Sequence, residues 1–186
     1  HGLTTEQAFE IESACIDLLG LENLTNSVKG HDSWERGLKT VNEVLQHYDN
    51  EEVIETLNAE TQALIYKQLG VVNVYEQNFK HSLNCLNKAL KIAEERDFTQ
   101  LYSTIHLAFT LYYQEQNEYP IARNYLERAI KFARDAGDWR DLAETYRVKA
   151  AILQETGDSE KALEIYQQAI KIIGDRLAGF HLGKIY

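Results

Sequence analysis

Six histidines stand at positions 1, 31, 47, 81, 106 and 181, and two cysteines at 15 and 85. No two histidines lie four apart, so the paired-histidine spacing of a helical zinc site is missing and no metal is expected. Gly179-x-x-x-Gly183-Lys184-Ile185 resembles a phosphate loop only superficially. It has three intervening residues where that loop needs four, lacks the following Ser or Thr and follows no strand. Nothing has the arrangement of a nucleophile with its base, so neither catalysis nor a cofactor is expected. What remains is recognition chemistry. Lys67 and Arg147 offer cations, Gln114 and Gln154 amides, and Leu64, Val71, Val74, Tyr75, Leu107, Leu111 and Ala151 an apolar surface. Their spacings of three and four residues put each group on one face of a helix. Such a face suits an extended peptide or a partner helix: apolar anchors supply the energy and amides satisfy main-chain groups.

The elements that must position these residues are written as a repeat. Leu86-Asn87-Lys88-Ala89-Leu90-Lys91-Ile92-Ala93 returns as Leu126-Glu127-Arg128-Ala129-Ile130-Lys131-Phe132-Ala133 and again as Tyr166-Gln167-Gln168-Ala169-Ile170-Lys171-Ile172-Ile173. The interval is 40 residues both times. Each copy is an amphipathic helix with a small residue where another helix must come close. Repetition at a fixed period of this size is the signature of a solenoid. A hairpin of two helices cannot bury its apolar stripe alone, so neighbouring units must stack, and the first helix of each pair then lines the concave side. The expected fold is all-α, a right-handed α-solenoid of stacked antiparallel helix pairs. Lys67, Gln114, Arg147 and the apolar residues with them fall on those first helices, as does Glu155.

Taken in order, Thr4-x-x-Gln7 has capping-box spacing and opens a helix to residue 19, which Gly20 ends. Asp32-x-x-Glu35 caps another through Tyr48. The spacing then predicts helices over 51–77, breakable near Asn58-Ala59, and over 79–95, 98–115, 118–135, 139–155 and 159–174, the last stopped by Gly174. Pro120 sits in a first turn, where its missing N–H costs nothing. Gly137-Asp138 and Gly157-Asp158 each supply a C-terminal glycine followed by an N-cap aspartate. Residues 1–50 are expected to form an N-terminal helical cap or degenerate repeat, 51–176 three repeats, and 177–186 the start of a further repeat or a terminal helix. Asn73 and Lys149 break the apolar seam.

Charge is unevenly placed along the chain. Residues 1–60 hold 13 acids and 3 bases, residues 61–186 hold 16 of each, and the net charge is −10. The repeat region is neutral and has no basic face for releasing counterions, so nucleic acid is not expected as a direct ligand. No apolar run approaches the roughly 20 residues that span a bilayer. Cys15 and Cys85 stand singly inside helical patterns, which reads as a reduced, cytoplasmic protein. There is no methionine, and the leading His1-Gly2 looks like a tag remnant, so domains are expected to be missing at either end.

The repeat resembles the tetratricopeptide repeat. One unit supplies Tyr66, Leu69-Gly70, Phe79, Ser82, Leu86 and Ala89; the next Phe109, Thr110, Tyr113, Tyr119, Ala122, Leu126 and Ala129; the last Tyr146, Ala150, Leu153, Gly157-Asp158, Ala162, Tyr166 and Ala169. The standard repeat is 34 residues. The longer period is similar to that of bacterial peptide-sensing regulators of the Rap, NprR and PlcR type, and of kinesin light chains. The resemblance implies a non-catalytic module that binds a protein or peptide in its concave groove, as the sensor or scaffold part of a larger regulator. Two other roles follow from it: regulation of a signalling enzyme or response regulator through the N-terminal helices, and structural oligomerisation, with a homo-oligomer as its product. Of the clamp that holds terminal carboxylates in chaperone-binding members, only Lys67 is matched; Val71, Ala108, Glu144 and Val148 stand at the other positions.

Overall fold

A computed structural model of the chain describes residues 51–182. The expectations for residues 1–50, Cys15 and residues 183–186 lie outside the described residues. Seven helices and no strand occur among the described residues: α1 (Glu51–Glu55), α2 (Ala59–Tyr75), α3 (Phe79–Glu95), α4 (Thr99–Glu115), α5 (Tyr119–Ala136), α6 (Trp139–Glu155) and α7 (Ser159–Leu182). The fold is all-α, built from helix pairs of the tetratricopeptide kind. Residues 51–132 lie in one compact unit and 133–182 in another.

Within the first unit α2 packs against α3, and α4 packs against both. Alanine makes these approaches possible: Ala63, Ala89 and Ala93 are each 0% exposed. Gly70 carries the idea further. A Cβ there would stand 2.4 Å from Leu86 Cδ2 and 2.6 Å from its Cγ, so the missing methyl is what seats Leu86 against α2. In the second unit α6 and α7 form a pair over Ala150, Ala162 and Tyr166.

Helices α2 to α7 begin at 59, 79, 99, 119, 139 and 159, so the backbone repeats every 20 residues, half the sequence period. The turns show why. Gln77, Asp97, Asn117, Gly137 and Gly157 all have positive φ, between 54° and 89°. Each turn closes with the same two bonds, as at Asn78 N–H to Asn73 O (2.8 Å) and Gln77 N–H to Val74 O (2.9 Å), and likewise after Asp97, Asn117, Gly137 and Gly157. This is the Schellman arrangement, which satisfies the last carbonyls of a helix while reversing the chain. Asn and Asp tolerate the left-handed region and Gly is indifferent to it; Gln77 alone holds it at real steric cost.

The rule also explains two departures. Position 57, one step before Gln77, is Leu57, and it has no positive φ. There the Gln62 side-chain amide donates to Leu57 O (2.8 Å) and Glu55 O (3.3 Å) instead, and Asn58 caps α2 by accepting from Thr61 N–H at 2.9 Å. Asn58 thus divides the stretch 51–77 where a break was expected. Position 177, one step after Gly157, is Leu177, and α7 runs on to Leu182. Gly174 does not stop the helix, because it lies three residues short of the reversal point and has no positive φ. Short α1 is held by Ile54, 1% exposed, and by an ion pair from Glu51 to Lys88, whose ammonium lies 5.1 Å from the Tyr66 ring centre.

Candidate functional site

The 40-residue register places two stripes side by side in the first unit. On α2 these are Glu60, Leu64, Lys67, Val71 and Tyr75; on α4, Gln100, Thr104, Leu107 and Leu111, each 40 after one of the first four, with Gln114, the counterpart of Val74, beside them. The register is anchored at one end, where Gln100 Nε2 donates to Glu60 Oε1 at 3.0 Å across 40 residues of sequence. The Gln-Asn pairs at 77–78 and 116–117 are 39 apart, yet the reversing residues are Gln77 and Asn117, 40 apart, so α4 is not slipped relative to α2.

Leu64 is 38% exposed and one of two large apolar side chains exposed to that degree among the described residues. Lys67, Val71, Tyr75, Leu107, Leu111 and Gln114 are half-buried. Val71 and Leu111 rest on the core cluster beneath them. Val74 differs from its companions. It is 1% exposed, packed inside the core, and has no surface to give a ligand. The step from 71 to 75 keeps to the exposed stripe, whereas 74 turns inward. No charged side chain occurs on α4 between Thr99 and Gln114, so this half of the face is neutral. Gln100 and Thr104 were not among the expected residues, though each lies 40 after a residue of the α2 stripe.

Arg147, Ala151 and Gln154 share one face of α6, in the second unit, and all are half-buried. Arg147 is committed. Its Nε donates to Glu144 Oε2 at 2.9 Å and its Nη2 to Glu144 Oε1 at 2.8 Å, a bidentate pair three residues apart. The side chains are 17% and 27% exposed, so the guanidinium is a neutralised part of the face rather than an open cation.

The seam-breaking residues are accommodated. Asn73, 6% exposed, donates from Nδ2 to Leu69 O at 2.8 Å, one turn back on its own helix. Lys149 is half-buried. Cys85 is 2% exposed in the core. Among the described residues, no three His, Cys, Asp or Glu side chains come together as a metal site, and no helix is long and apolar enough to cross a membrane.

Residues 101–174 match the tetratricopeptide repeat, a span that runs from α4 into α7. Repeats of this family generally mediate protein–protein interactions. The Tonsoku-like protein of Drosophila melanogaster is similar to this chain, 29% identical over 112 residues, or 59% of the chain. The matched part is 8% of that relative's length. No solved structure matches.

Proposed function

We propose that the chain is a non-catalytic protein-binding module whose ligand lies across the first helices of its pairs. The observation that carries this is the pair of registered stripes on α2 and α4. They present Leu64, Val71, Leu107 and Leu111 at the surface with amide and hydroxyl groups between them. Burying even part of four aliphatic side chains supplies several kcal/mol, at about 25 cal/mol per Å² removed from water. The interspersed Gln100, Thr104 and Gln114 can meet main-chain groups of a bound segment. The match of residues 101–174 to a protein-interaction repeat supports the same reading. A place as the sensor or scaffold part of a larger regulator is its natural setting.

The test begins with peptides selected on the purified chain from a random library of about 12 residues, long enough to cross two helices. Binding is then measured by fluorescence anisotropy to the chain and to Leu107→Glu, Leu111→Glu and Lys91→Glu. The two leucine variants should lose at least tenfold in affinity with their helical circular dichroism unchanged, and Lys91→Glu on the second helix of its pair should bind normally. Peptides that bind both leucine variants as tightly as the parent would place the ligand elsewhere.

A further inference from the structure

His106 is 6% exposed and holds the position taken by Tyr66 and Tyr146 in the neighbouring repeats. Its Nδ1 lies 2.7 Å from Tyr102 O, an atom that only accepts, so the neutral ring carries its proton on Nδ1. The imidazole is wedged between α4 and α5. Its centre is 5.9 Å from the Tyr125 ring and 5.1 Å from the Phe132 ring, both on α5. The charged groups that face it are Arg128 from α5 and Glu94 from α3. In the preceding repeat the equivalent of Arg128 is Lys88, which stands over the neutral phenol ring of Tyr66 at 5.1 Å. Arg128 itself stands over the Tyr125 ring at 5.6 Å, next to an imidazole that can itself become a cation.

We propose that His106 is an acid-operated joint between α4 and α5: protonating it buries a positive charge inside an aromatic seam and loosens the two helices. Three features work the other way, the first being the bond to the Tyr102 carbonyl, which favours the charged ring. Aromatic rings within about 6 Å attract a cation, and Glu94 is an acid. Glu94 and Arg128 are both exposed, however, and water screens the two alike. Burial is the larger effect and pushes the imidazole below its ordinary value, with Arg128 adding to it. The sign follows. A histidine whose folded value is depressed contributes its full stability above the unfolded value, near 6.5, and that contribution is lost as pH falls from there toward the folded value. Residues 107 and 111 are on the same helix, but the joint exists whether or not they bind a ligand.

The experiment follows the His106 imidazole by NMR titration in the full chain, assigned by the signal lost in His106→Tyr, the residue found in both neighbouring repeats. Thermal unfolding of the parent, His106→Tyr and His106→Gln is recorded from about pH 7.5 to about pH 5, a range that brackets ordinary histidine titration. The imidazole should titrate below 6.5. The parent's midpoint should fall away from those of both variants by roughly 3 °C for each pH unit below that point. A His106 that titrates at or above 6.5, or parent and variant midpoints that run parallel, would overturn the proposal.

Discussion

The Ser82 hydroxyl donates to the Gly70 carbonyl oxygen at 2.8 Å, joining α3 to α2. Ser82 is 0% exposed, and its counterparts Ala122 and Ala162 are 0% exposed too. The position requires a small side chain, and the first repeat uses its hydroxyl to satisfy a carbonyl of the facing helix. Gly70 has Thr110 and Ala150 as its counterparts, so among the described helix pairs only this one lacks a Cβ at that place.

Gly70→Ala should therefore destabilise the protein, although the same change in an open helix adds about 1 kcal/mol. The new methyl would overlap Leu86, which is 0% exposed and has no room to withdraw. Overpacking of this kind costs about 1–3 kcal/mol. Urea unfolding will show a lower midpoint for Gly70→Ala, with part of the loss recovered in the double variant Gly70→Ala/Leu86→Val.

The reversing residues give a pair of opposite effects. Gly137 has φ +66° and no atom within 4 Å of where a Cβ would stand, so Gly137→Ala tests backbone strain alone. It should cost about 1–2 kcal/mol. Gln77, at φ 60°, already bears that strain. Gln77→Gly relieves it at an entropic cost of about 0.5–1 kcal/mol, for a net gain of up to about 1 kcal/mol. Thermal midpoints should move down for the first and up for the second.

Ser103, 3% exposed, has a buried hydroxyl with no hydrogen-bond partner, where the equivalent residues are Ala63 and Ala143. Removing an unsatisfied buried hydroxyl recovers about 1–3 kcal/mol of desolvation. Ser103→Ala should raise the unfolding midpoint by at least about 2 °C; a fall would mean that the hydroxyl is bonded.

Arg147→Glu will not be a clean probe of binding, because it sets a new carboxylate against Glu144. Partly buried like charges at three-residue spacing destabilise the helix by a few tenths of a kcal/mol or more. The exchange Glu144→Arg/Arg147→Glu restores the pair with its charges transposed. Denaturation should show the single variant weakened and the exchange close to the parent.

Much of this architecture was legible in the sequence because alanine at a helix crossing has few substitutes. Ala89, Ala129 and Ala169 marked the repeat, and they are 0%, 0% and 1% exposed. Helices 79–95 and 139–155 fall where the spacing placed them. The 20-residue backbone period was hidden because the left-handed position accepts Gln, Asp, Asn or Gly, and no residue type repeats across all five turns. Gly174 misled for the converse reason: a glycine ends a helix only where the chain also reverses. Spacing alone puts Val74 on the exposed face, and one residue around a helix is a turn of about 100°, enough to move it from face to core. The Glu144–Arg147 pair was visible as an i, i+3 acid and base, and Asn73 found its partner within its own helix, which no pattern of apolar residues reveals.

The most direct test of the binding face is a titration of the isotopically labelled chain with the tightest library-selected peptide, followed by backbone amide shifts. The stripes on α2 and α4 should move first and most, centred on Leu64, Val71, Leu107 and Leu111, while the exposed positions of α3, such as Asn84 and Lys91, stay in place. Shifts concentrated on α3 and absent from α2 and α4 would contradict the account.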